Sequence, residues 1–209
     1  MADTLMGSKT GNKELILASS SATRAGILQG AGLVFKIERP TVDESAIRRS
    51  MIASRADVES GAARLADLKA LEISANHPAS LVVGADQILE YEGAWFEKPI
   101  SLGQARKQLE QLSGVQHRLI SSVAVALNNA VIWRHTDNAV LNMRTLSESF
   151  LAAYLQIMGD RLLSSVGGYQ IESLGAQLFD SVAGDHYTIL GLPLLPLLRF
   201  LREKDVLGT

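Results

Sequence analysis

An apolar tetrapeptide, Leu15 to Ala18, runs directly into Ser19, Ser20 and Ser21, and a lone cation, Arg24, follows at the point where a helix should begin. A short continuous apolar run of this kind reads as a buried strand. Ser21 is a good N-cap, and Ala25 to Gln29 can follow as a short helix stopped by Gly30 and Gly32. A strand feeding a capped helix is a strand–turn–helix unit. It also assembles the parts of an anion site. The first N–H groups of a helix have no intrahelical partner, and serine hydroxyls and a guanidinium beside them suit phosphate oxygens. The same stretch is also compatible with a capped turn carrying an ordinary surface arginine.

The second informative stretch is Leu81 to Asp86, a buried-strand pattern ending in Gly84, Ala85 and a carboxylate. Ligands of open α/β sheets bind outside the carboxyl ends of the strands. Asp86 there is a metal ligand, a proton acceptor, or a cap on a neighbouring turn. Gly84 and Ala85 admit the close approach of a ligand or of another backbone. Between the two stretches, Val34 to Ile37 reads as a second strand. Pro40 to Glu44 reads as a loop whose Asp43 and Glu44 are either solvated acids or metal ligands.

Asp57 to Ser74 carries apolar residues at helical spacing, with Lys69 among small residues. That lysine either snorkels from the edge of the buried face or reaches a phosphate. Past Asp86 the chain stays extended to Tyr91, turns at Glu92-Gly93, and reaches Lys98 before Pro99, a rim charge or a second phosphate-binding cation. Ser101 to Ser113 reads as a helix with Ser101 and Gln104 as a capping box and Gly114 as its stop. His117 to Leu127 and Val131 to Arg134 read as a hairpin about Asn128-Asn129, and Val140 to Arg144 as a further strand. Ser147 caps a helix ending near Gly159. A glycine-flanked loop, Gly167 to Gly175, contains one acid, Glu172. Leu178-Phe179 and Tyr187 to Ile189 read as short strands. Pro193 and Pro196 fit the first turn of a last helix.

Composition limits the function. Of 209 residues, 47% are hydrophobic and 20% charged, so the chain can bury a core. A net charge of −2 argues against bulk binding of nucleic acid or of an anionic membrane surface, though not against a local basic pocket. With no cysteine there is no disulfide, thiolate catalysis or cysteine-bound zinc, and the four histidines show no metal-ligand spacing. The longest apolar segment, Leu190 to Leu198, is far short of the roughly 20 residues that span a bilayer. Met1 to Lys13 is polar and reads as a flexible leader. A cytoplasmic protein is expected.

Five segments in register give the chain a resemblance to the Maf family of nucleoside triphosphate pyrophosphatases, from Leu15 to about Arg202. Leu17 to Arg24 is similar to its Ala-Ser-x-Ser-Pro-x-Arg segment. Val83 to Gln87 looks like its Gly-Ala/Ser-Asp-Thr/Gln strand end, and Glu97-Lys98-Pro99 like its Gly-Lys-Pro. Leu112-Ser113-Gly114 with His117 is similar to its Leu-Ser-Gly-x-x-His. Gly168 to Gly175 and then Gly191-Leu192-Pro193 match its closing pattern. Ala22 replaces the usual proline, and Glu97 replaces the glycine before Lys98, setting a carboxylate beside a proposed phosphate cation.

The resemblance implies one α/β domain over residues 14–209, with a mixed sheet flanked by helices in two lobes around a deep nucleotide-binding cleft. It implies hydrolysis of a nucleoside triphosphate to the monophosphate and pyrophosphate with a divalent cation, magnesium or manganese. Asp86, Lys98 and Lys69 would be catalytic, and Ser19, Ser21 and Arg24 would bind phosphate. Glu44 and Asp86 would hold the metal. Such phosphoryl transfer rests on positioning and charge neutralisation and needs no nucleophilic side chain. Thr23, Gln87 and Glu172 resemble the subgroup preferring 7-methylguanosine triphosphate. The subgroup acting on thymidine and uridine triphosphates has Arg, Thr and Gln there. A carboxylate at 172 suits the N–H donors of a methylated guanine. A non-catalytic nucleotide-binding regulator, for example of cell division, is the alternative. An inosine triphosphate pyrophosphatase shares the reaction, but its Ser/Thr-x-Asn-x-x-Lys opening is absent. The expected partner is the triphosphate, with no nucleic acid and no membrane, and a homodimer is implied by the resemblance alone.

Overall fold

A computed structural model describes residues 13–208. The leader expected over 1–13 lies, apart from Lys13, outside them. In chain order the elements are β1 (Leu15–Ala18), α1 (Ala22–Gly30), β2 (Lys36–Glu38), α2 (Glu44–Ala53), α3 (Val58–Ser74), β3 (Leu81–Tyr91), β4 (Ala94–Phe96) and α4 (Leu102–Leu112). There follow β5 (Gln116–Leu127), β6 (Ala130–Met143), α5 (Glu148–Met158), three 3-10 turns between Gly159 and Leu178, β7 (Phe179–Ala183), α6 (His186–Ile189) and α7 (Leu194–Glu203). The strands form a mixed sheet in the order β2-β1-β3-β5-β6-β7, with β4 paired to β3. No described helix is long and apolar enough to cross a membrane.

The described residues divide into two compact units, one of residues 13–87, 121–137 and 191–208, the other of 88–120 and 138–190. In the first, β1 pairs in parallel with β2 on one side and β3 on the other, with Leu17 opposite both Ile37 and Val83. All four β1 residues are buried. That is why β1 reads as an unbroken apolar run: a parallel strand covered on both faces has no polar side to alternate. Ile16, Ala18 and Val82 pack with Ala66, Ala70 and Ile73 of α3. The approach is closest at Gly84, where an added Cβ would lie 2.3 Å from the Ala66 carbonyl oxygen and 2.7 Å from the Ala70 nitrogen. Of the two partners open to Gly84, the neighbour is another backbone.

The second unit is built on Leu89, Leu109, Leu112, Leu119, Leu141 and Tyr154. His117 lies in this core at 2% exposure, sharing a 2.8 Å hydrogen bond through Nε2 with the Tyr169 hydroxyl, while its Nδ1 has no protein partner. Burial pushes its pKa down to about 4. The unfolded chain takes up a proton, near the ordinary histidine value of about 6.5, that the folded chain refuses. Stability is therefore complete above about pH 6.5 and declines as pH falls towards 4. A loss of about 2 kcal/mol between pH 7 and pH 5 is expected in urea titrations. His117→Gln should flatten that slope, and an equal slope in the variant would place its origin elsewhere.

Several local expectations change. The first helix starts at Ala22, directly after its cap, because Ser21 Oγ already accepts from the Arg24 amide. β2 is shifted to Lys36–Glu38, and Val34 is exposed. Gln104 Oε1 accepts from the Ile100 amide, one residue ahead of the reciprocal box. β6 is one strand of 14 residues, not two, since its polar middle lies in extended backbone without breaking the ladder. Tyr187 to Ile189 is helical, not a strand. Asp185 Oδ1 accepts from the Thr188 amide, and this cap prevails over the β-branched side chains. Pro193 caps α7 from outside, and only Pro196 lies in its first turn. Residues 45–53, which carried no strong pattern, form most of α2, so Asp43 and Glu44 do not share a loop: Asp43 is the N-cap and Glu44 the first helical residue.

Candidate active site

Four charged side chains of the first unit meet beside β3. Asp86 is 2% exposed, Lys69 4% and Arg48 6%. Lys69 Nζ donates to Asp86 Oδ1 at 2.7 Å, and Arg48 Nη2 donates to Asp86 Oδ2 at 3.0 Å. The half-exposed Glu44 completes the group, with Oε1 2.8 Å from Lys69 Nζ and Oε2 3.8 Å from Arg48 Nη2. Buried charges persist only when paired and hydrogen-bonded, and here each oxygen of Asp86 has its own cation. Lys69 is not a snorkelling edge residue. The close packing of α3 on Gly84 delivers its ammonium to the strand that carries the carboxylate.

Arg24 is tied into the same unit. Its Nε donates to the Gly191 carbonyl at 2.9 Å, and its Nη1 donates to the Ala85 carbonyl at 2.8 Å and to Ser19 Oγ at 3.4 Å. Burial lowers its pKa from the ordinary value, opposed by the charges of Asp86 and Glu44 and reinforced by that of Arg48. Ser19 is buried, and its hydroxyl also accepts from the Ser21 amide. Ser21 itself caps α1. The guanidinium thereby sits at the N-terminal end of a helix and beside the middle of β3. Thr23 is half-buried in the first turn of α1. Gln87, next to Asp86, donates through Nε2 to Ser121 Oγ at 3.0 Å. An added Cβ at Gly191 would make only ordinary contact, at 3.5 Å from Gln87 Oε1 and 3.6 Å from the Arg24 guanidinium, and it is the φ of +92° that favours glycine there.

The structure thus gathers Ser19, Ser21, Thr23, Arg24, Glu44, Lys69, Asp86 and Gln87 in one unit. Lys98 and Glu172 belong to the other unit, where both are exposed. In that unit the Glu97 carbonyl accepts from Gln108 Nε2 at 2.9 Å. Sequence reasoning missed Arg48. The available signal was Asp43 as a helix cap, with Glu44 and Arg48 one turn apart behind it.

The donor set fits a divalent cation only as one shared with substrate. Glu44 and Asp86 both face Lys69, but no cluster of three or more His, Asp or Glu suited to caging an ion occurs among the described residues. Magnesium characteristically binds through one or two carboxylates together with substrate phosphates.

A mixed α/β sheet with a paired carboxylate on β3, just past the carboxyl end of the neighbouring β1, and an anchored arginine beside it defines the class: an α/β protein with its polar site where such sheets bind ligands. Within that class the chain belongs to the Maf family, whose model, described as Maf-like protein, matches residues 14–204. A nucleoside triphosphate pyrophosphatase of Paramagnetospirillum magneticum is 47% identical over 192 residues, which is 92% of this chain and 99% of that protein. A 7-methyl-GTP pyrophosphatase of Rhizobium johnstonii is 45% identical over 190 residues, 91% of this chain and 96% of its own. A 7-methyl-GTP pyrophosphatase of Brucella abortus is 41% identical over 191 residues, again 91% and 96%.

Proposed function

We propose that this chain hydrolyses a nucleoside triphosphate to the monophosphate and pyrophosphate, and that 7-methylguanosine triphosphate is its preferred substrate. The observation that carries the reaction is the Asp86 carboxylate, buried beside β3 and oriented by a separate cation on each oxygen. In this reading Asp86 accepts a proton from the water that attacks the α-phosphorus. Arg24, Lys69 and Lys98 neutralise the phosphate oxygens, helped by the amides behind the Ser21 cap and by Ser19. Glu44 and Asp86 would hold a divalent cation, magnesium or manganese, which when bound supplies further neutralisation of the phosphates. No nucleophilic side chain is needed, because positioning and charge compensation carry phosphoryl transfer.

Thr23, Gln87 and Glu172 support the methylated guanine. Glu172 is exposed and thus accessible to a base, and a carboxylate accepts from the N–H donors of a guanine edge. Relatives of comparable identity carry either the general name or the 7-methyl-GTP name. Pyrophosphate release should be measured over 7-methylguanosine, thymidine, uridine and inosine triphosphates with magnesium or manganese. The methylated guanine should have the highest kcat/KM, and Glu172→Gln should lower it about tenfold while leaving pyrimidine turnover unchanged. A pyrimidine preference would keep the reaction and overturn the base assignment. Nucleotide binding without turnover would make the chain a non-catalytic regulator.

A further inference from the structure

Arg48 is the least expected member of the charged group. It is the one buried residue of α2, a helix otherwise turned to solvent or half-covered. Its Nη2 spans Asp86 Oδ2 at 3.0 Å and the Gln87 carbonyl at 3.4 Å. Its Nη1 is also buried, yet has no hydrogen-bond partner in the protein. A buried unsatisfied donor is costly, and the arrangement therefore leaves Arg48 with unspent hydrogen-bonding capacity.

The charges add a second argument. Glu44 and Asp86 contribute two negative charges, Lys69 and Arg48 two positive ones, so the cluster is neutral as it stands. Arg24 stands near enough to feel the charges of both carboxylates and of Arg48. A divalent cation entering alone would add two positive charges to a group already balanced, in a largely buried place. It would also compete with Lys69 for Glu44 Oε1 and Asp86 Oδ1, and with Arg48 for Asp86 Oδ2. A triphosphate brings several negative charges, which offset the ion and give Arg48 acceptors for its unspent donors.

We infer that Arg48, working beside the Lys69 ammonium that bridges Glu44 and Asp86, keeps the divalent-cation position of these two carboxylates closed until a nucleotide arrives, so that metal and triphosphate enter together. Arg48 is then a positioning residue: it holds Asp86 before nucleotide binds and yields it when phosphate oxygens replace the carboxylate as acceptor. This rests on the pyrophosphatase reading for the identity of the anion, but the behaviour of the free protein tests it separately.

The test is manganese binding followed by electron paramagnetic resonance, which needs no turnover. Free wild-type protein should bind manganese weakly, and a non-hydrolysable triphosphate analogue should tighten that binding by at least about tenfold. Arg48→Gln should bind manganese without nucleotide at least about tenfold more tightly than wild type, because the cluster then loses one positive charge and Asp86 Oδ2 loses its cation. Arg48→Lys, which restores the charge, should return to wild-type behaviour. Equal affinity in wild type and Arg48→Gln overturns the inference. So does wild type that binds manganese as tightly alone as with the analogue, and that arm decides if Arg48→Gln fails to fold. Analogue binding measured without metal separates the two readings. If no triphosphate binds, the pyrophosphatase reading fails, and the free-protein comparison still judges Arg48.

Discussion

Asp86→Asn is expected to reduce pyrophosphate release roughly a thousandfold at saturating triphosphate, while the protein still folds. Two losses combine. In the proposed reaction the carboxylate accepts a proton from attacking water, which the amide cannot do. It also offers one acceptor and one donor group where Lys69 Nζ and Arg48 Nη2 present two donors, at 2.7 and 3.0 Å. One of those contacts becomes donor against donor. Removing one partner of a buried ion pair costs about 3 kcal/mol or more, because the remaining charge stays out of water. Glu44 lies 2.8 Å from Lys69 and compensates part of that cost. Thermal melting should therefore show a lower midpoint but a single cooperative transition. Assays run well below that midpoint separate chemistry from unfolding. A folded variant retaining turnover within about tenfold of wild type would remove Asp86 from the reaction.

Gly84→Ala should be among the most damaging single-methyl additions in the chain. The new Cβ would meet the Ala66 carbonyl oxygen at 2.3 Å, the Ala70 nitrogen at 2.7 Å and the Ala70 Cβ at 2.9 Å. Two of these are backbone atoms of a helix, which cannot swing aside as a flexible side chain can. Either α3 moves off the sheet or β3 is displaced. Overpacking of a core costs about 1–3 kcal/mol when side chains can adjust, so a backbone clash is expected to cost about 3 kcal/mol or more. Lys69 lies between Ala66 and Ala70 on the same helix. Movement of α3 therefore lengthens the Lys69–Asp86 contact and lowers turnover along with stability. Urea unfolding reads the first effect and pyrophosphate release the second. A variant as stable as wild type would show that α3 and β3 have slack at this point.

What the order of residues determined by itself is local. β1 follows from four consecutive apolar residues, α1 and α5 from the caps Ser21 and Ser147, α3 from apolar residues at helical spacing, and the β5–β6 hairpin from Asn128-Asn129. Both asparagines have positive φ, which is the conformation a two-residue hairpin turn requires. These features are legible because capping, turn geometry and burial period act over a few residues. Family motifs extended the reading to Arg24, Asp86 and Lys98, but as positions and not as contacts. Where caps and propensity compete, as at Asp185 before Tyr187 to Ile189, the pattern alone misleads.

Only the tertiary structure decided which cations Asp86 meets. Lys69 and Arg48 are 17 and 38 residues away from it in sequence. Lys69 reads as an edge lysine until Gly84 lets its helix approach. Arg48 sits on a helix without an apolar stripe, so burial period gives no sign of it. Its burial comes from charge pairing, a long-range attraction with no sequence period to announce it.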